Sequence, residues 1–123
     1  MGNLRVLIVD DEDDMRALLR NLIELANEGL SVAGEAADGD EALERWREEQ
    51  PDVVLLDQRM PGLSGLETAA RILREDPAQL VILFTAYLDE AITSAAERLG
   101  VRRCVSKADA RRLVERLREC AAA

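Results

Sequence analysis

Five short apolar segments, alternating with stretches of helical periodicity, constrain the fold of this 123-residue chain more than any other feature. The segments are LRVLIV (4–9), LSVAGEA (30–36), DVVLL (52–56), LVILF (80–84) and VRRCV (101–105). After most of them, apolar residues recur at i, i+3, i+4 and i+7, the spacing of an amphipathic helix. These stripes comprise Met15, Leu18, Leu19, Leu22 and Ala26; Leu66, Ala69, Ala70 and Leu73; Ile92, Ala95, Ala96 and Leu99; and Ala110, Leu113, Val114, Leu117 and Ala121. The alternation predicts a parallel sheet with helices on both faces.

The composition of the segments indicates which strands lie at the edges of that sheet. The first, third and fourth segments are continuously apolar, as expected of strands buried on both faces. VRRCV is interrupted by two arginines, and LSVAGEA contains a glycine and a glutamate, so both read as edge strands. This pattern fits the strand order 2-1-3-4-5 better than a six-stranded dinucleotide-binding order. That second fold would also need a G-x-G-x-x-G loop after the first strand, where this chain has DDEDD.

Several residues mark the ends of the predicted helices. Ser64 and Glu67 have the spacing of a capping box, and Gly100 lies where a helix should end. Pro51 closes the polar segment DGDEALERWREEQ, in which Trp46 is interpreted as a packing residue. The length and the absence of a linker predict that residues 1–123 form a single domain.

The composition excludes several classes of function. The chain contains no histidine, which removes Ser/His and Cys/His catalysis and the usual zinc sites. Cys104 and Cys120 form no metal or redox motif and read as small buried hydrophobes. With a net charge of −9, the domain is not expected to bind nucleic acid itself. No apolar run approaches the ~18 residues of a membrane span and no signal peptide opens the chain, so we expect a cytoplasmic protein without membrane contact.

Polar residues follow the apolar segments at the points where the predicted strands end. Asp10 and Asp11 follow the first segment, Asp57 the third and Thr85 the fourth, and Lys107, the only lysine, follows the fifth. In an open parallel sheet, the carboxyl ends of the strands face one crevice. Capping of the following helix could account for single acids there, but it explains neither Asp57 nor Lys107. Three carboxylates with open positions suit Mg²⁺.

This set of groups is suited to phosphoryl transfer onto a carboxylate. A metal ion and an ammonium would neutralise the phosphoryl oxygens while Asp57 formed an aspartyl phosphate. Because the chain has no histidine and no ATP-binding loop, the phosphoryl group must come from another molecule.

Four motifs together resemble the receiver domain of two-component response regulators. They are LIVDDE (7–12), LLDQRMPGLSG (55–65), FTA (84–86) and SK (106–107). The chain looks most like receivers that precede a helix-turn-helix DNA-binding output domain. The resemblance implies an α/β fold of the flavodoxin-like (βα)5 type, a doubly wound parallel five-stranded sheet. It also implies a phosphoprotein that catalyses only its own phosphorylation and dephosphorylation, not an enzyme with a separate substrate.

The resemblance also implies roles for individual residues. Asp57 would accept a phosphoryl group from a sensor histidine kinase or a histidine phosphotransfer protein. Asp11 and Asp57 would bind Mg²⁺ directly with the backbone carbonyl of Arg59, while Asp10 acts nearby or through water. On activation, Thr85 and Lys107 would contact the phosphoryl group.

Phosphorylation would then reshape the surface formed by the fourth and fifth helices and the fifth strand. An output domain or a second copy would contact that surface through its arginines. The arginines expected on this surface are Arg102, Arg103, Arg111, Arg112, Arg116 and Arg118, and the first four are the expected contacts.

Two positions depart from the family pattern. Receivers usually place an aromatic residue three positions before the lysine, where this chain has Cys104, so the usual aromatic switch is missing. Tyr87 is a candidate substitute. Proline usually follows the lysine, often after a cis peptide, and here that residue is Ala108. A cis bond before a non-proline residue costs about 2.5–4 kcal/mol, which leaves the geometry of this peptide open.

Two alternatives remain open at the level of sequence. The missing aromatic favours an interaction module that signals without phosphate, although such a module could dispense with Asp10, Asp11, Asp57 or Lys107. The other is a phosphatase of the haloacid dehalogenase type. Such enzymes need an acid two residues after the nucleophile. That position is Arg59 if Asp57 is the nucleophile, and Glu12 or Asp13 if the nucleophile is Asp10 or Asp11.

Overall fold

The structure is a computed structural model that describes residues 3–26 and 29–122, except for the side chains of residues 121 and 122. Ala121, predicted to belong to the last apolar stripe, therefore has its side chain outside the described part. Strands and helices alternate along the chain, as the sequence predicts. The elements are β1 (Leu4–Val9), α1 (Asp13–Ala26), β2 (Leu30–Ala36), α2 (Gly39–Glu49), β3 (Val53–Leu56), α3 (Gly65–Glu75), β4 (Leu80–Thr85), α4 (Glu90–Leu99), β5 (Arg103–Ser106), a 3₁₀ segment (Lys107–Arg112) and α5 (Leu113–Ala122).

The strands form one parallel sheet in the order β2-β1-β3-β4-β5, which confirms the predicted flavodoxin-like topology. The register aligns Val9 with Leu56 and Leu56 with Leu83. The carboxyl ends of the three central strands are therefore level, and the residues that follow them meet at one edge of the sheet.

Side chains of the central strands alternate between two apolar layers. Leu7 and Val9 of β1 lie in the layer that packs on α2, α3 and α4, whereas Val6 and Ile8 lie in the layer under α1 and α5. All four side chains are at most 1% exposed. A strand buried on both faces must be apolar at every position, which explains the continuous runs in the sequence.

The predicted ends of the helices are confirmed. Ser64 and Glu67 form a reciprocal capping box at the start of α3, and Gly100 ends α4 with a φ of 97°. Helix α2 ends at Glu49, and its C-cap residue Gln50 directly precedes Pro51. Trp46 is buried, and its indole N–H donates to Gln79 Oε1 at 2.8 Å, as expected of a packing residue with a satisfied polar atom.

Two expectations are wrong in detail. The fifth strand begins at Arg103, two residues later than VRRCV suggests, because the backbone N–H of Val101 still donates to Ala96 at the end of α4. Leu18 is 45% exposed, and Ile23 is fully buried instead. The apolar spacing placed Leu18 on the stripe, but α1 meets the sheet centrally through Leu19 and Ile23.

Cys104 is half-buried and Cys120 is buried, and both are free thiols, consistent with their interpretation as small hydrophobes. No helix in the described ranges is long and apolar enough to cross a bilayer.

Candidate functional site

The carboxyl edge of the sheet brings two carboxylates and an ammonium into direct contact. Lys107 Nζ lies 2.7 Å from Asp10 Oδ2 and 3.3 Å from Asp57 Oδ2. The side chain of Lys107 is 10% exposed, and Asp10 and Asp57 are buried. These residues follow β5, β1 and β3, so the parallel topology unites groups that are up to 97 positions apart in the sequence.

The backbone places both aspartates as extensions of the strands. The N–H of Asp10 donates to Ala36 at 3.1 Å, and the N–H of Asp57 donates to Val9 at 3.0 Å. Of the side-chain oxygens, Asp10 Oδ1 accepts from the N–H of Glu12 at 3.0 Å, and Asp57 Oδ1 accepts from the N–H of Gln58 at 2.8 Å. In each carboxylate, one oxygen is bound to the backbone and the other faces Lys107.

The loop after Asp57 closes tightly because it contains Gly65. A Cβ atom on Gly65 would lie 2.2 Å from the backbone oxygen of Asp57. The N–H of Gly65 donates to the Gln58 carbonyl at 2.9 Å, and the N–H of Leu66 donates to Gln58 Oε1 at 2.9 Å. Gln58 therefore ties the start of α3 to the residue next to Asp57, and only glycine fits at position 65 without displacing this backbone.

Burial and charge act in opposite directions on these groups. Burial raises the pKa of Asp57; the Lys107 ammonium opposes that shift, whereas the Asp10 carboxylate adds to it. Burial lowers the pKa of Lys107, but hydrogen bonds and charge from Asp10 and Asp57 outweigh it, so the net direction is upward. Lys107 thus stays a cation, and Asp57 is a carboxylate whose charge the protein compensates incompletely.

Carboxylates in the loop between β1 and α1 form the second part of the site. Oxygens of Asp10, Asp11 and Glu12 lie within 4.8 Å of one another, with Asp10 buried and the other two exposed. Oxygen donors with open positions fit a hard divalent cation that retains water, as Mg²⁺ does. Glu12 was not among the predicted ligands, although its place in the acidic run DDE could have indicated it. Asp57 adjoins this group through its shared contact with Lys107.

Thr85 and Tyr87 form the side of the crevice at the end of β4. Thr85 is fully buried, and its Oγ1 accepts from the N–H of Tyr87 at 3.3 Å. The Tyr87 ring is exposed, and the Arg59 guanidinium carbon lies 3.8 Å from its centroid, a cation–π contact. This contact joins the loop after β3 to the loop after β4. The predicted metal ligation by the Arg59 carbonyl remains a prediction.

Cys104 and Ala108 are the two positions that depart from the family pattern, and the structure shows the contacts of both. Cys104 packs against the apolar layer under α2, α3 and α4, and burial, with a smaller effect of Glu97, raises the pKa of its thiol. The peptide before Ala108 is trans, since the described residues contain no cis peptide. The N–H of Ala108 donates to Ser106 Oγ at 3.2 Å.

Comparison with known proteins gives consistent matches along the chain. The family model of the response regulator receiver domain matches residues 6–118. The chemotaxis protein CheY of Thermotoga maritima is 38% identical over 103 residues, 84% of each chain. A LuxR-family two-component response regulator from Aurantimonas sp. SI85-9A1 is 34% identical, with a TM-score of 0.92 over 98% of this chain and 86% of its own.

A third match is the structure of the CheX–CheY–BeF3–Mg²⁺ complex from Borrelia burgdorferi. It is 27% identical, with a TM-score of 0.79 over 85% of this chain and 78% of its own. The family match, the sheet order and the crevice at its carboxyl edge agree. The chain belongs to the receiver domain family of response regulators.

Proposed function

We propose that Asp57 accepts a phosphoryl group, with the help of Mg²⁺, from the phosphohistidine of a sensor histidine kinase or a histidine phosphotransfer protein. The observation that carries this proposal is the position of Lys107 Nζ between the carboxylates of Asp10 and Asp57. A buried ammonium beside a carboxylate can neutralise an anion that is added to that carboxylate.

Asp57 is better suited than Asp10 to be the nucleophile. Asp10 Oδ2 is held at 2.7 Å by Lys107, whereas Asp57 Oδ2 lies at the longer distance of 3.3 Å. In the proposed reaction an Asp57 oxygen forms the new P–O bond while the P–N bond to the donor imidazole breaks. The N–H of Gln58 holds the other oxygen and orients the carboxylate for attack.

We assign the Mg²⁺ ligands as Asp11, Asp57 and the backbone carbonyl of Arg59, with Asp10 and Glu12 nearby. Bound Mg²⁺ would supply positive charge at the oxygens of the transferred group. The charge balance supports a cation here, because Lys107 contacts Asp10 and Asp57, and Asp11 and Glu12 add two further carboxylates beside Asp10.

We further propose that Thr85 and Lys107 bind the phosphorylated side chain and bias α4, β5 and α5 toward an active arrangement. The exposed arginines Arg102, Arg103, Arg111 and Arg112 would then contact an output domain or a second copy. The similarity to a LuxR-family regulator supports an attached output domain. A donor kinase that uses ATP would place this single domain, residues 1–123, in the cytoplasm.

A second candidate, an interaction module independent of phosphate, is favoured by one observation. Cys104 packs into the core and offers no ring that could move inward with Thr85. A haloacid dehalogenase type of phosphatase lacks such support, because Arg59 stands where its second acid would be if Asp57 were the nucleophile.

Incubation with acetyl phosphate and Mg²⁺, followed by intact-mass measurement, tests the first candidate. We expect one phosphoryl group on the wild type, none on Asp57→Asn and one on the control Asp52→Asn, which removes an exposed acid five residues away. A wild type that gains no phosphate from acetyl phosphate or from a cognate kinase would favour the interaction module. Phosphate on Asp57→Asn would show that another residue is the acceptor.

A further inference from the structure

Arg16 links three segments around the acidic group between β1 and α1. Its Nη1 donates to the backbone carbonyl of Asp10 at 2.6 Å. Its Nη2 contacts Asp13, its Nε lies 3.6 Å from Glu35 Oε1 on β2, and the side chain is 16% exposed. The guanidinium is therefore held by carboxylates on two sides and directed at a single carbonyl.

That carbonyl belongs to the peptide between Asp10 and Asp11. Asp11 and Glu12 are exposed, so packing in the core does not hold their carboxylates. Their positions depend on the backbone, which is fixed by the Arg16 bond to the Asp10 carbonyl and by the Glu12 N–H bond to Asp10 Oδ1. Loss of the first bond would remove the anchor of the Asp10 carbonyl, while the bonds of Glu12 to Asp10 Oδ1 and to the Arg16 N–H would remain.

We propose that Arg16 is a positioning residue for the divalent cation, holding the Asp10–Asp11 peptide so that the carboxylates converge. The inference rests on the proposed Mg²⁺ site but concerns a residue that binds no metal itself. Groups that orient metal ligands in this way typically contribute about 10–100-fold to metal affinity.

Charge and geometry predict opposite effects of removing Arg16. The charges of Arg16 and Arg20 are balanced by Asp13 and Glu35. Arg16→Ala leaves an extra negative charge beside the site, which by Coulomb attraction alone would tighten binding of a cation. Charge alone therefore predicts tighter Mg²⁺ binding by Arg16→Ala, whereas lost positioning predicts weaker binding.

Calorimetric titration with MgCl2 tests the proposal on the wild type, Arg16→Ala, Arg16→Lys and Arg20→Ala. Arg20 shares the Glu35 contact but makes no contact with Asp10 among the described residues, so it is the matched control. We expect Arg16→Ala to bind Mg²⁺ about 10-fold or more weakly, Arg20→Ala to bind as the wild type does, and Arg16→Lys to lie between them. Without metal, the Glu12 amide should exchange its hydrogen faster in Arg16→Ala than in Arg20→Ala.

The outcomes separate this inference from the proposed function. If the wild type binds Mg²⁺ and Arg16→Ala binds it equally well or more tightly, Arg16 has no positioning role and the metal site stands. If Arg20→Ala weakens binding as much, the effect is a general loosening of α1, which overturns the inference. A folded wild type that does not bind Mg²⁺ overturns both. Thermal unfolding of each variant shows that the compared proteins are folded.

Discussion

Lys107 lies closer to Asp10, at 2.7 Å, than to Asp57, at 3.3 Å. The carboxylate proposed to accept phosphate is therefore not the main anchor of the lysine. Asp10 can hold the ammonium in place while Asp57 changes its charge and size. A compact ammonium on a flexible stem suits two partners in turn better than the rigid fork of arginine, which the chain uses at every other basic position.

Removing the charge of Asp57 should stabilise the protein in the absence of metal. Burial raises the folded-state pKa of Asp57 above its unfolded value, so the folded state binds the proton more tightly. Protonation of Asp57 contributes fully to the free energy of unfolding below the pKa of the unfolded state. This contribution is lost as the pH rises through the pKa of the folded state. In EDTA at pH 7, the free energy of unfolding of Asp57→Asn, measured with urea, should therefore exceed that of the wild type by about 0.5–2 kcal/mol. The stabilisation by Asp57→Asn should shrink toward pH 3. If Asp57→Asn is less stable than the wild type at pH 7, this prediction is wrong.

Mg²⁺ should stabilise the wild type through its binding to the folded state. At a concentration 100 times the dissociation constant, the free energy of unfolding should rise by about 2.7 kcal/mol. Asp11→Ala should lose most of this increase, whereas Asp40→Ala, which removes an exposed acid on α2, should keep it. Thermal unfolding with MgCl2 and with EDTA measures the difference. An equal response of the two variants would place the cation elsewhere.

Replacing Lys107 should lower the free energy of unfolding strongly without metal and less strongly with Mg²⁺ bound. Lys107→Ala leaves Asp10 and Asp57 buried together without a counter-charge, which should destabilise the protein by about 3 kcal/mol at pH 7 in EDTA. Part of this loss should return in Mg²⁺. Lys107→Arg keeps the charge and serves as the control, with a smaller loss. A cost that is the same in EDTA and Mg²⁺ would show that the metal does not share this crevice.

Gly65→Ala should disturb the loop that carries Asp57. Its Cβ would lie 2.2 Å from the Asp57 backbone oxygen, so the loop must shift, and we expect a loss of roughly 2–4 kcal/mol. Gly62 is the control, because a Cβ there meets no atom within 4 Å and only its φ of 76° is unfavourable. Gly62→Ala should cost about 1 kcal/mol. Equal losses in denaturant unfolding would mean that the close contact at Gly65 is relieved at no cost.

The Arg59–Tyr87 contact should slow loss of phosphate from Asp57 by limiting the access of water. Tyr87→Ala should shorten the lifetime of the phosphorylated form several-fold, whereas Tyr87→Phe, which keeps the ring for the cation–π contact, should resemble the wild type. The free energy of unfolding should change by less than about 1 kcal/mol, because the contact is exposed. Intact-mass measurements over time follow the phosphate. Equal lifetimes for Tyr87→Ala and Tyr87→Phe would exclude the ring from this role.

Much of the fold follows from local pattern. The segments 4–9 and 30–36 coincide with β1 and β2, and the capping box at Ser64 begins α3, because burial of strands and capping of helices depend on residues close in sequence. Local pattern gave the wrong start for β5 and the wrong burial for Leu18. There the outcome depends on how α4 ends and on which part of α1 meets the sheet.

The candidate site, like the fold, was predicted from the sequence only in part. The order of residues along the chain already indicated that acids, a hydroxyl and the single lysine follow the strands, and the parallel order then brings them to one edge. Three contacts became visible in the three-dimensional fold alone: Lys107 lies closer to Asp10, Glu12 lies with Asp10 and Asp11, and Arg59 stacks on Tyr87. Those contacts join loops from different strands, and differences of less than 1 Å between such partners arise from packing that no local periodicity encodes.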